Sequence, residues 1–332
     1  MWKNIIHLVE QIHHKKISPS EFSYGVDYLT AEKINSAHDY LLKYNRTVLK
    51  DSENFFAFTK PSKFVLDGKL LSFPSPFIHP KASDINKTGY AKVFPSVNSK
   101  KAIIVVPHWC ASAKSYINLC SALSKIGFTA VRMTLPYHEE RGTGDWEFTN
   151  DMVSANIGRT IQAVRQSIIE LRTVVAWLKE IGYERIGVVG SSLGSCIATI
   201  AQAQEPNINS LFASHISSYF GDVVWLGKST KHIKKSLEKN ISQRNIHDYW
   251  EVISPLPYIK KFTNVNPNHF IMIGKYDLTF PYQLSRQVIV EYKKYNIPAE
   301  FRTMPVGHFT LRYPPYNYYV FGLMVNHFRK TL

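Results

Sequence analysis

Cysteine is scarce: 332 residues contain three, Cys110, Cys120 and Cys196. None falls in a Cys-x-x-Cys or Cys/His spacing. That argues against a disulfide framework and a structural zinc site, and makes the reducing cytoplasm the expected compartment. No run of ~18 apolar residues occurs, so no transmembrane helix is expected. The opening MWKNIIHLVEQIHHKK interrupts its short apolar stretch with a glutamate and histidines. It lacks a small-residue cleavage site, so no signal peptide is expected. Internal repeats and low-complexity tracts are also missing. Acidic residues are few against basic ones, and the formal net charge is +15. Such a balance attracts anionic partners at long range without selecting one. The basic residues are scattered and match no nucleic-acid motif, so no nucleic-acid partner is expected. Composition leaves the oligomeric state open.

What is present is enough apolar material for a large core: 45% of residues are hydrophobic. Residues 1–60 read as an N-terminal helical extension, with Ile5, Leu8, Val9 and Ile12 at helical spacing, then Tyr40, Leu41 and Tyr44. Residues 61–332 read as the main domain. Strand-like pieces at 69–73 and 90–94 open it. From residue 101 strands and helices alternate. Ala102–Val106, Phe128–Met133, Ile186–Val189, Leu211–Ser214, His269–Ile273 and Glu300–Met304 are strand-like runs. Helical patterns over 116–126, 158–181, 195–204, 282–295 and from about 316 separate or follow them. This alternation predicts an α/β fold, a mostly parallel sheet flanked by helices. In such sheets ligands bind beyond the carboxyl ends of the strands, so chemistry is expected there.

Residues 190–194 read Gly-Ser-Ser-Leu-Gly, a G-x-S-x-G motif between a buried strand and a helix. That context is what makes the motif meaningful. A turn this tight strains the nucleophile's backbone, and Cβ atoms two residues either side would collide with it. Register puts Ser192 at the apex rather than Ser191. Leu193 N–H opens the following helix and is placed to hydrogen-bond a developing oxyanion. A phosphate-cradling turn is the competing reading, but no Walker lysine and no G-x-G-x-x-G follow.

A serine hydroxyl needs a base within reach, and the base needs a partner that fixes its tautomer. At such an elbow the partners follow in the order acid, then histidine. The strand 269–273 runs into Asp277, and the strand 300–304 runs into His308. Both fall in loops just past strand ends, on the edge where Ser192 lies. The rival acids Asp222 and Asp248 are less well placed, and the rival base His327 lies inside a helical pattern. Ser192, Asp277 and His308 are therefore the expected catalytic residues.

GSSLGS, GKYDLTFP and PVGHF, in this order and spacing, resemble the α/β-hydrolase superfamily over about residues 65–330. The segments PHWCASAKSYINLC, LPYHEERGTG and NIGRTIQAVRQ are similar to a branch of abhydrolase-domain proteins with a Pro-His-Trp segment. The resemblance implies an eight-stranded, mostly parallel sheet whose second strand is antiparallel. It also implies hydrolysis of an ester, thioester or amide, with no cofactor and no metal. Family members often carry His-Gly after the third strand. Here Pro107-His108-Trp109-Cys110 stands there, so the N–H of Trp109 or of Cys110 is the candidate second oxyanion donor. Cys110 as a nucleophile lacks an assigned base.

The insertion of about 220–262 resembles the family's cap. It holds Trp225 and Trp250 and, between Lys228 and Lys261, eight basic residues against three acidic ones. A basic amphipathic stretch here can rest on an anionic membrane surface, although a solvated face is the simpler account. Expected substrate contacts are His108, Tyr137, Trp225 and Trp250. In the loop 137–145, Glu139, Glu140 and Arg141 read as a local salt-bridge cluster. The expected function is a serine hydrolase, esterase- or lipase-like, acting on a small-molecule or lipid ester. Alternatives are a peptidase, thioesterase or acyltransferase on the same fold, or a non-catalytic binding scaffold.

Overall fold

The computed structural model describes residues 2–12, 20–77, 81, 84–142, 151–265 and 267–332. The expected loop residues Thr143–Asp145 lie outside the described residues. Among the described residues nine strands form one sheet: β1 (Val65–Asp67), β2 (Leu70–Pro74), β3 (Thr88–Phe94), β4 (Lys101–Val106), β5 (Thr129–Thr134), β6 (Arg185–Ser191), β7 (Ser210–Ser214), β8 (Asn268–Gly274) and β9 (Glu300–Met304). Their order is β1-β2-β3-β5-β4-β6-β7-β8-β9. Pairings from β5 across to β9 are parallel. β3 runs antiparallel to β2 and β5, and β1 antiparallel to β2.

Eight strands with one antiparallel are expected; nine are present and two run against the rest. The addition, β1, is a three-residue edge ribbon with every residue exposed. Having no buried face, it leaves no alternation of apolar and polar residues to read.

Among the described residues eleven α-helices accompany the sheet: α1 (Trp2–Ile12), α2 (Ala37–Lys50), α3 (Ser52–Phe55), α4 (Ile117–Lys125), α5 (Ile157–Glu180), α6 (Leu193–Gln202), α7 (Phe220–Leu226), α8 (Lys231–Leu237), α9 (Gln243–Tyr249), α10 (Tyr282–Lys294) and α11 (Tyr316–Thr331). Alternating strand residues divide the core in two. Ala102, Ile104 and Val106 pack with α5, α6 and α10 on one face. Ile103 and Val105 pack with α4 and α11 on the other. Burial on both faces explains why these strands read as continuous apolar runs.

The segment between β7 and β8 holds α7–α9. Its apolar side chains Ile233, Leu237, Ile246 and Trp250 are all 0% exposed and join the main core. The N-terminal segment packs on this insertion. Asn45 of α2 is buried, donates to Tyr249 O at 2.8 Å and accepts from Val252 N at 2.8 Å. No helix of the described residues is long and apolar enough to cross a membrane.

Candidate active site

The chain turns from β6 into α6 within one residue, Ser192, at φ 58° and ψ −125°. A non-glycine residue there carries a strain of roughly 1–3 kcal/mol, tolerated only where the surroundings leave no alternative. The flanking glycines are needed because the backbones nearly touch. A Cβ on Gly190 would lie 2.3 Å from Gly194 O, and one on Gly194 would lie 2.2 Å from Val106 O. Ser192 N–H donates to Ser214 O at 2.9 Å, and Ser195 Oγ donates to Ser192 O at 2.7 Å. Ser191 is the last residue of β6, one position short of the apex.

β8 and β9 end on the same edge of the sheet as β6, and their following loops bring the other two groups to the elbow. His308 Nε2 lies 2.8 Å from Ser192 Oγ, and His308 Nδ1 lies 2.7 Å from Asp277 Oδ2. The other carboxylate oxygen, Oδ1, accepts the N–H of Thr279 at 2.8 Å and of Phe280 at 2.7 Å. Burial alone would raise the Asp277 pKa. The facing imidazoles of His308 and His215 outweigh it and hold the carboxyl well below the usual carboxylate range. Burial would likewise lower the His308 pKa, but Asp277, helped by Glu10, raises it above the ordinary histidine value. With Nδ1 toward the carboxylate, Nε2 presents its lone pair to the serine hydroxyl.

Two nearby residues carry no sequence expectation. His215 follows β7, is 2% exposed, and brings Nδ1 to 2.9 Å from Asp277 Oδ2. That approach lacks the alignment of a hydrogen bond. Its position just past a strand end is the same signal that points to Asp277 and His308. Glu10 of α1 accepts the N–H of Phe309 at 2.7 Å, and no local pattern marks it. His215, Asp277 and His308 each bring a ligand atom to within 4.8 Å of the others, close enough to hold a metal ion. An ion on His308 Nδ1 would replace the Asp277 contact.

The candidate oxyanion donors separate. Leu193 N–H opens α6, where the first turn's donors have no partner within the helix. Cys110 N–H donates to His138 Nε2 at 2.9 Å, while His138 Nδ1 meets Pro136 O at 2.8 Å. Burial depresses the His138 pKa to about 4, so its ring is neutral and can accept that bond. Trp109, rather than Cys110, lines the cavity that reaches Ser192.

That cavity is walled by Trp109, Leu193, Phe220, Val223, Val224 and Phe280 and is almost wholly apolar. None of the four expected substrate contacts is among the residues that line it. Trp250 is fully buried and spends its indole N–H on Ile157 O at 3.2 Å. Trp225 sits beneath Lys234, whose Nζ is 5.4 Å from the ring centroid. Tyr137 is buried, with its N–H on Asn86 Oδ1 at 3.0 Å. His108 Nδ1 pairs with Tyr116 OH at 2.8 Å. The rivals are engaged elsewhere: Asp222 with His247 at 2.8 Å, Asp248 with Arg244 at 2.9 Å and His327 with Ser210 at 2.9 Å. The charged loop residues form salt bridges, Glu139 with Arg132 at 2.6 Å and Arg141 with Glu170 at 2.7 Å. A wider, polar surface groove lined by Glu53, Arg172, Glu205 and Lys261 does not include Ser192.

No protein-family model and no curated protein matches the sequence. Solved structures do resemble its fold. Acetyl xylan esterase 1 from Thermoanaerobacterium sp. JW/SL YS485 is 15% identical, with a TM-score of 0.59 over 93% of this chain and 99% of that one. An esterase from Pyrococcus furiosus is 15% identical, with a TM-score of 0.53 over 96% of this chain and 99% of that one. Acylaminoacyl peptidase from Pyrococcus horikoshii is 13% identical, with a TM-score of 0.61 over 87% of this chain and 44% of that one. The chain therefore has the fold of these proteins, the α/β-hydrolase fold.

Proposed function

We propose that the protein is a serine hydrolase that cleaves a carboxylic ester through an acyl-enzyme on Ser192. The observation that carries this reading is the unbroken contact from hydroxyl to imidazole to carboxylate, 2.8 Å and then 2.7 Å. Ser192 Oγ attacks the ester carbonyl as His308 Nε2 takes its proton. Asp277 holds the ring and stabilises the imidazolium that forms. The carbonyl oxygen becomes an oxyanion facing the N–H of Leu193. Such a donor is worth about 10²–10³ in rate. His308 then protonates the departing alcohol. Water, deprotonated by the same imidazole, attacks the acyl carbon and releases the acid, returning the proton to Ser192.

The apolar cavity beside Ser192 favours an acyl chain over a charged group, because burying a charge there without a partner is costly. The expected test is turnover of a p-nitrophenyl ester series of increasing acyl length. The wild-type chain is expected to turn over esters, and Ser192→Ala to lose at least about 10³-fold in kcat. Full turnover by Ser192→Ala would overturn the reading.

A further inference from the structure

Glu10 lies outside the Ser192–His308–Asp277 chain yet touches the loop that carries His308. It arrives on α1, a helix that is no part of the sheet. Ile6 and Glu10, one turn apart, face inward at 1% and 0% exposure, while Ile5 and Leu8 face outward at 47% and 57%. The Glu10 side chain ends against the loop that carries His308. Its Oε1 accepts the N–H of Phe309 at 2.7 Å, directly after the histidine. Gly307, directly before the histidine, makes room for it: a Cβ there would lie 2.5 Å from the Glu10 carboxyl.

The loop is also tied to itself and to its sheet neighbour. Gly307 N–H donates to Thr310 Oγ1 at 2.7 Å, and Val306 O accepts Tyr276 N–H at 3.0 Å. A buried carboxylate is a costly way to fill space. Its other oxygen, Oε2, has no hydrogen-bond partner among the described residues. Leucine would occupy the same volume more cheaply, so packing alone does not account for an acid here. The acceptor atom does, since a His308 ring held on Ser192 needs its own backbone held.

We propose that Glu10 is a positioning residue for His308, a clamp from the N-terminal helix that fixes the histidine loop through Phe309 N–H so that Nε2 stays on Ser192. The proposal rests on the serine-hydrolase reading above.

Two variants of the full chain separate clamp from filler. Glu10→Gln keeps the size and the amide oxygen that can accept from Phe309. Glu10→Leu keeps comparable bulk and loses the acceptor. Both are compared with wild type by kcat per fluorophosphonate-titrated site, by KM for one p-nitrophenyl ester and by the rate of fluorophosphonate labelling. Glu10→Leu is expected to lower kcat and the labelling rate about tenfold, with KM within about twofold. Glu10→Gln is expected to restore both rates to within about threefold of wild type. Equal behaviour of the two variants, whether both active or both impaired, would overturn the clamp. Wild type that is itself never labelled would instead defeat the underlying hydrolase reading, so the two failures are distinguishable.

Discussion

A serine hydroxyl is inert at neutral pH until a neighbour can accept its proton, and His308 is the group in reach. The base must be neutral to act. Asp277 and Glu10 together outweigh burial and raise its pKa, because they favour the charged ring. The kcat/KM profile is therefore expected to fall on the acid side with an inflection above the ordinary histidine value of about 6.5. A profile still flat well below that pH would contradict the assignment. Stability runs the other way. The raised His308 pKa contributes stability below the ordinary histidine value, lost as pH rises through the folded value. The lowered Asp277 pKa contributes stability above the ordinary carboxylate value, lost as pH falls through the folded one. The pair stabilises the fold most at mildly acidic pH, where the base is protonated and idle. At this scale the meeting of Ser192, Asp277 and His308 was legible because each lies within four residues of a strand's end. His215 follows a strand too and carried the same signal. Glu10 did not, because its partner lies 299 residues away in sequence and no local spacing encodes such a contact.

Among elements, the turn from β6 to α6 is the part with least room to vary. Val106 O, at the end of β4, approaches Gly194 so closely that a methyl group has nowhere to go. Gly194→Ala is expected to abolish fluorophosphonate labelling, either by displacing Ser192 from the apex or by preventing folding. Ordinary labelling by that variant would contradict the elbow geometry. The buried strands and the long helix α5 were legible to within a few residues, since continuous apolar runs and three-four spacing are strong signals. β1 was not, because nothing on it is buried. The segment between β7 and β8 was legible as helical and aromatic, but aromatic content does not say which way a ring points. Trp250 turns into the core and the cavity wall is built by Phe220, Val223 and Phe280 instead. The basic helix α8 has the same lesson: Ile233 and Leu237, its apolar side, are buried, which leaves its lysines as the outward face.

Across the whole molecule, distant stretches converge on one edge of the sheet. α2 grips the insertion through Asn45, and α1 reaches the histidine loop through Glu10. α1 is thus tied to the site and α2 to the insertion, which amphipathic spacing alone did not reveal. The net charge of +15 bears on which partners approach and how fast, not on the reaction. The reaction stands or falls on whether the Ser192 oxygen is an activated nucleophile. The direct measurement is to treat the intact protein with a fluorophosphonate at neutral pH and locate the adduct by peptide mass spectrometry. One adduct per chain on Ser192, absent from Ser192→Ala and slowed by His308→Ala, is the predicted result. An unmodified Ser192, or an adduct on another residue, would contradict it.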